Sequence, residues 1–192
     1  MLFRSRMGGS GIIRLRTDGS FAAHQGMRGH AGMVASAGKG AAISSSSKQK
    51  ISTRSSTECE IIAVDEAITK PLWLRHLLEA QGQTVVDCVL FQDNQASIRI
   101  EKNGFHSVGK RTKHFDVKYF FITDLAERGE VSIEYCPALE LVADALTKPL
   151  QGSLFQTHRN AIMGIDADQI PVYNKKAREH LMWLGLLVRK AG

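Results

Sequence analysis

The chain has 192 residues and 43% hydrophobic side chains, enough for one domain with a buried core. Lys and Arg number 25 against 19 Asp and Glu, and the net charge of +6 favours a polyanionic partner. The three cysteines lack C-x-x-C spacing, which argues against a disulfide framework and a zinc site. No apolar run approaches the roughly 20 residues that span a bilayer. We therefore expect an intracellular protein of the cytoplasm or nucleus, neither secreted nor membrane-bound.

Three strands and a long helix are predicted for the first half. Residues 1–11 read as a flexible leader, and strands are predicted at 12–18, 30–37 and 41–46. The serine run at 44–47 is equally compatible with a flexible linker. A helix is predicted from Ser55, which has capping-box spacing to Glu58. Pro71 should kink or split this helix, and Gly82 should end it.

The residue pattern of the second half predicts alternating strands and helices. An apolar stretch at 85–92 indicates a strand covered on both faces, running straight into Asp93. The further elements are a short helix at 94–102, an amphipathic helix around 115–125, a strand at 131–135, and a helix at 141–146 that resumes at 153–163. A tail at 165–192 contains an amphipathic stretch. The predicted order is three strands, then a helix, a strand, helices, a strand and a helix. This order predicts an α/β domain over residues 12–164, with a sheet that contains both parallel and antiparallel strands.

Four carboxylates stand where an unpaired charge is costly. Asp18 and Asp93 end predicted strands, while Glu60 and Asp144 lie beside apolar residues on predicted helices. A cluster of hard oxygen ligands suits magnesium or manganese. Two such ions about 4 Å apart catalyse in-line phosphoryl displacement.

Each carboxylate also has an ordinary structural interpretation. Asp18 precedes Gly19 as a common turn pair, and Asp93 or the following Asn94 could cap the next helix. Glu60 could be solvated, and Asp144 could favour a helix N-terminus through the helix dipole. Glu58 is assigned to the capping box alone.

A basic cluster precedes the amphipathic helix. Lys110, Arg111 and Lys113 could contact backbone phosphates, or they could form a solvated helix end. His114 lies beside them, but a second His or Cys at ligand spacing is missing, which argues against a metal site there.

Four motifs, in the same order, resemble the RNase H domain of copia-type LTR retrotransposon polyproteins. They are SSSSKQKISTRSSTECEIIAV, LFQDNQASI, KRTKHFDVKYFF and IEYCPALELVADALTKPLQGSLF. The resemblance extends over about residues 12–164. It departs from the family pattern at Arg16, where an apolar residue is usual, and at TDGSF, which is closer to cellular RNases H.

The resemblance implies an RNase H-like fold, a five-stranded mixed sheet with three antiparallel strands first, flanked by helices. It places the catalytic, metal-binding acids at Asp18, Glu60, Asp93 and Asp144, which would hold two Mg²⁺ ions, with Mn²⁺ as a possible substitute. It implies hydrolysis of the RNA strand of an RNA–DNA hybrid, and a reverse transcriptase portion of the polyprotein as partner. Asn94 and Gln95 are expected to contact nucleic acid together with the basic cluster.

Two other functions stay open at the level of sequence. The first is a catalytically inactive RNase H-like module that binds nucleic acid or supports a polymerase. The second is an interaction protein that uses the tail helix, where Leu181, Leu184 and Val188 could dock on a partner or cover the domain's own core. Metal dependence distinguishes the nuclease from both alternatives.

Overall fold

The computed structural model describes residues 11–103 and 116–165, and the side chains of 116–120 are not part of that description. Its strands are β1 (Ile12–Ser20), β2 (Arg28–Ser36), β3 (Ile43–Ser52), β4 (Asp87–Gln92) and β5 (Ser132–Tyr135). Its helices are α1 (Ser56–Ala80), α2 (Gln95–Asn103), α3 (Asp116–Glu127) and α4 (Gly152–Met163). The predicted leader, the basic cluster of Lys110, Arg111 and Lys113, and the predicted tail helix lie outside the described residues.

The strands form one mixed sheet in the order β3-β2-β1-β4-β5. The first three strands pair antiparallel, whereas β4 pairs parallel with both β1 and β5. Parallel pairing needs a crossover connection, which α1 supplies between β3 and β4. The predicted fold class, a five-stranded mixed sheet with three antiparallel strands first, is confirmed.

The serine-rich stretch belongs to the sheet and is not a linker. Ser44 to Ser47 pair with Val34 to Ala31 of β2, so their backbone groups are held in the sheet. Because β3 is an edge strand, its small polar side chains face solvent without loss of buried apolar contacts. Local composition could not distinguish this arrangement from a linker.

Helix α1 begins with the predicted cap. The Ser55 hydroxyl accepts a hydrogen bond from the Glu58 backbone N–H at 3.2 Å. Pro71 was expected to kink or split the helix, and the split does not occur, since α1 runs unbroken to Ala80. Pro71 is itself buried in the helix face that packs on the sheet, and tertiary packing of this kind outweighs local propensity.

Apolar side chains cover the sheet on both faces. The larger core lies between the sheet and α1, with α3 packed beside it; its fully buried members include Ile13, Leu15, Ile61, Val64 and Leu90. A smaller cluster on the opposite face joins Val34, Val142 and Ala161. The predicted helix at 141–146 is a 3₁₀ turn, Val142–Leu146, and the turn packs tightly against Gly32 of β2. In the part of the chain that the structure describes, no helix is long and apolar enough to cross a membrane.

One acidic side chain of α2 is fully buried beside the last residue of β4. Glu101 of α2 is 0% exposed, and the Gln92 Nε2 donates to its Oε2 at 2.6 Å. Its other oxygen, Oε1, has no hydrogen-bond partner in the structure as described. Burial raises the pKa of Glu101 to about 8, although the bond from Gln92 opposes the shift.

Replacing Glu101 by Gln should flatten the pH dependence of stability. The folded-state pKa lies above the usual value of 4.5, so the stabilisation due to protonated Glu101 is complete below pH 4.5 and is lost as the pH rises through about 8. Chemical denaturation between pH 5 and pH 9 should therefore show a smaller fall in unfolding free energy for Glu101→Gln than for the parent. Glu127→Gln, at an exposed position of α3, is the control and should keep the parent profile. An unchanged slope in Glu101→Gln would contradict the assignment.

Candidate metal centre

Three of the four predicted acids meet at one edge of the sheet. Asp18, Glu60 and Asp93 each place a carboxylate oxygen within 4.8 Å of the others. Asp18 lies near the end of β1 and Asp93 directly follows β4, its parallel neighbour, so the two strands deliver their acids at the same edge. Glu60 comes from the second turn of α1.

Gly19 allows α1 to approach β1 closely enough for Glu60 to reach Asp18. A Cβ atom at Gly19 would lie 2.8 Å from the carbonyl carbon and oxygen of Cys59, and 2.9 Å from the Glu60 nitrogen. The Gly19 backbone N–H donates to Glu60 Oε2 at 3.0 Å and fixes that carboxylate. The absence of a side chain at this position is therefore a condition of the site.

A second glycine admits the turn that carries Asp144. Gly32 lies opposite Asp18 in the β1–β2 pairing. A Cβ there would come within 2.7 Å of Thr147 Cγ2 and 3.0 Å of the Ala143 carbonyl oxygen. The 3₁₀ turn thus rests directly on β2, which brings Asp144 to the same edge as the three clustered acids.

Asp144 is joined to the cluster through a lysine. The Lys148 Nζ lies 2.9 Å from Asp144 Oδ2 and 3.2 Å from Asp18 Oδ1. The Thr147 hydroxyl donates a hydrogen bond to Asp18 Oδ2. Asp144 Oδ1, in contrast, is buried and has no hydrogen-bond partner in the described ranges.

The carboxylates repel one another and are poorly hydrated. Burial, together with the charges of Asp18 and Asp93, raises the pKa of Glu60 to about 9. Burial and Asp18 also raise the pKa values of Asp93 and Asp144, and for Asp144 the neighbouring Lys148 opposes the change. Such a group of acids gains stability from any cation that binds among them.

The donor set fits a hard divalent cation. It consists of carboxylate oxygens, three of them convergent, with an unpartnered Asp144 oxygen close by. Oxygen ligands of this type are preferred by magnesium and manganese. Asp18, Glu60, Asp93 and Asp144 are therefore the residues that could hold such ions.

Several ordinary interpretations of these acids are excluded by the geometry. Asn94, and not Asp93, caps α2, because its Oδ1 accepts from the backbone N–H groups of Ala96 and Ser97. Glu60 is only 6% exposed and is not a solvated helix residue. Glu58 acts in the cap of α1, as expected. Gln95, the predicted nucleic-acid contact, is exposed at the first position of α2.

Sequence reasoning missed the roles of Thr147 and Lys148. Both lie in the quoted ADALTKPL stretch, three and four residues after Asp144. A residue at i+4 on a helical turn lies on the same side as the acid, which was a usable signal for Lys148. The contact of Thr147 with Asp18 joins residues 129 positions apart and could not be found from spacing.

Comparison with known proteins gives relatives in plant transposons. No family model matches the chain. Over 118 residues, 61% of this chain, it is 34% identical to the retrovirus-related Pol polyprotein from transposon TNT 1-94 of Nicotiana tabacum. It is 33% identical over 120 residues to the corresponding polyprotein from transposon RE1 of Arabidopsis thaliana. The matched regions are 9% and 8% of those polyproteins, so the chain spans only a small part of their length.

Solved structures resemble the fold at lower identity. The N-terminal RNase H domain of rv2228c from Mycobacterium tuberculosis matches with a TM-score of 0.51 and 13% identity, covering 78% of this chain and 97% of that chain. LC11-RNase H1, isolated from compost, matches with a TM-score of 0.52 and 21% identity, covering 71% of this chain and 92% of that chain. RNase H1 from Halobacterium salinarum matches with a TM-score of 0.50 and 19% identity, covering 70% and 93%.

The chain therefore has the RNase H fold, with an acidic cluster at the edge where β1 and β4 end. Its curated relatives are retrovirus-related Pol polyproteins of plant transposons, which confirms the resemblance indicated by the four motifs.

Alanine at position 19 should disrupt the acidic cluster. The added Cβ would contact the backbone of Cys59 and Glu60, and overpacking of this kind costs about 1–3 kcal/mol. We expect Gly19→Ala to lower both the melting temperature and the affinity for Mn²⁺ measured by calorimetry. Ser20→Ala, at the adjacent position, is the control and should retain both. Parent-like Mn²⁺ affinity in Gly19→Ala would show that the close approach is not required.

Divalent cations should stabilise the protein more at pH 8 than at pH 6. The ion needs ionised carboxylates, and the raised pKa values of Glu60, Asp93 and Asp144 mean that protons compete with it increasingly as the pH falls. The melting temperature with and without Mg²⁺ at the two pH values measures the effect, with K⁺ at equal ionic strength as control. The prediction would be contradicted if Mg²⁺ raised the melting temperature equally at the two pH values, or did not raise it at all.

Proposed function

We propose that the chain is a ribonuclease H that hydrolyses the RNA strand of RNA–DNA hybrids, as part of retrotransposon reverse transcription. The observation that carries the proposal is the convergence of Asp18, Glu60 and Asp93 within 4.8 Å at an edge of an RNase H fold, with Asp144 beside them. We assign the catalytic and metal-binding roles to these four acids. The relatives, retrovirus-related Pol polyproteins, support a retrotransposon context.

The acids would hold two Mg²⁺ ions, or Mn²⁺ in their place. A bound pair of such ions supplies an activated water nucleophile and charge stabilisation at the leaving oxygen. The chain's own contribution is to hold ligand oxygens in place before the substrate arrives: the Gly19 N–H orients Glu60, and the Thr147 hydroxyl orients Asp18. Asp18 and Glu60 are only 1% and 6% exposed, so their carboxylates are largely shielded from bulk water.

Substrate contacts are proposed for residues that follow Asp93 and for the basic cluster. Gln95 is exposed two residues after Asp93, where it could contact the nucleic acid backbone or minor groove. Asn94 uses its side-chain oxygen for the α2 cap, which leaves its amide group as the donor for such a contact. Lys110, Arg111 and Lys113 would contact phosphates, and selectivity would come from 2′-hydroxyl and groove-shape recognition.

The wider setting is part of the same proposal. The RNase H-like domain would occupy 12–164, between a leader at 1–11 and a tail at 165–192. The partner would be a reverse transcriptase portion of the polyprotein, in the cytoplasm or nucleus. The relatives are more than ten times longer than the matched segment, so there is room in them for such a portion.

The test is hydrolysis of a labelled RNA–DNA hybrid by the purified chain in Mg²⁺. The parent should cleave the RNA strand, and Asp93→Asn should lower the rate at least about a hundredfold, since even an outer-sphere partner of a metal ligand costs 10–100-fold. Asp124→Asn, at a surface position of α3, is the matched control and should cleave at the parent rate.

Two results would count against parts of the proposal. Cleavage by Asp93→Asn at the parent rate would remove the assigned role of that acid. A folded parent that binds the hybrid without cleaving it in Mg²⁺ or Mn²⁺ would favour the alternative, an inactive RNase H-like module that binds nucleic acid or supports a polymerase.

A further inference from the structure

We propose that Lys148 is a placeholder cation for the metal centre: its ammonium group occupies the Asp18–Asp144 side of the acidic cluster and leaves when a divalent cation binds there. The inference deepens the proposed function and depends on it. Lys148 lies between Thr147 and Pro149, and the proposed nuclease function assigns it no role.

The ammonium group contacts one carboxylate oxygen of Asp18 and one of Asp144. Lys148 Nζ lies 3.2 Å from Asp18 Oδ1 and 2.9 Å from Asp144 Oδ2. The other Asp18 oxygen, Oδ2, accepts the hydrogen bond of Thr147. An ion that joins Asp18 to Asp144 through Asp18 Oδ1 therefore competes directly with Lys148, because two cations cannot share one position between the same carboxylates.

The lysine is placed so that its head group can leave while its backbone stays. The Lys148 backbone N–H donates to the Asp144 carbonyl oxygen at 2.9 Å, which anchors the main chain beside the turn. The Lys148 side chain is 39% exposed, whereas the side chains of Asp18 and Asp144 are 2% and 10% exposed. The stem therefore reaches in from the surface, and rotation about its four-carbon chain returns the ammonium group to water.

The charge balance explains why a placeholder is useful. Asp18, Glu60, Asp93 and Asp144 bring four acidic groups to one edge, and Lys148 is the cation that the structure pairs with two of them. Without any cation, mutual repulsion and poor hydration destabilise the folded state. Lys148 offsets part of this cost in the metal-free protein, and the same contact lowers the affinity for the incoming ion.

The experiment is calorimetric titration of Mn²⁺ into the full chain and into Lys148→Met, with melting temperatures measured in chelator. Lys148→Met should bind Mn²⁺ about tenfold more tightly, the order expected when two ammonium–carboxylate contacts under near-aqueous screening no longer have to be broken before the ion binds. Its metal-free melting temperature should fall, and Mn²⁺ should restore more stability to it than to the parent. Lys50→Met, at an exposed position of β3, is the matched control and should behave as the parent in both measurements.

The outcomes separate this inference from the proposed function. Tight Mn²⁺ binding by the parent, with equal or weaker binding by Lys148→Met, would overturn the placeholder role and leave the metal centre intact. Failure of both proteins to bind Mn²⁺ while folded would overturn the metal centre, and the placeholder role with it. Because Lys148→Met could fail to fold without metal, Lys148→Gln, which retains a hydrogen-bond donor without charge, is measured in parallel and should show the same gain in affinity.

Discussion

Mutual repulsion of carboxylates at one edge of the sheet is the constraint on which the rest of the site depends. Asp18, Glu60 and Asp93 have oxygens within 4.8 Å of one another, although their burial disfavours even single charges. Three groups offset part of this repulsion: the backbone N–H of Gly19, the hydroxyl of Thr147 and the ammonium group of Lys148. These contacts hold the acids together without neutralising them, which leaves an arrangement suited to binding cations.

Close backbone packing is what brings the acids together. Gly19 admits α1 against β1, and Gly32 admits the 3₁₀ turn against β2, so that a helix and a turn reach the same edge from different sides. Parallel pairing of β1 with β4 supplies the remaining part, because its register places Asp93 at the level of Asp18. The positions of the acids thus follow from backbone geometry at two glycines and one pair of strands.

Patterns within one element predicted well, and contacts between elements did not. The first three strands, the Ser55–Glu58 cap and the strand that ends before Asp93 were readable from the chain. The expectation that Pro71 could split its helix was wrong, since α1 is continuous through it, and Asp144 lies on a 3₁₀ turn that packs against Gly32. The site residues were placed by family resemblance, since the convergence of acids from four segments has no local signature. Arg16, unusual for a strand interior, is accommodated over the ring of Phe91 at 5.2 Å.

The dispersal of the acids along the chain links the site to completion of folding. Asp18 comes from the first strand and Asp144 from a turn near the end of the domain, so no fragment of the sheet contains the whole cluster. In contrast to a helix or hairpin motif, a site of this kind cannot form early and wait for the rest of the protein. If the four acids bind cations as proposed, cation affinity reports the final assembly of the sheet, and a chain still emerging from synthesis, or one nicked in the middle and separated, would have no competent centre.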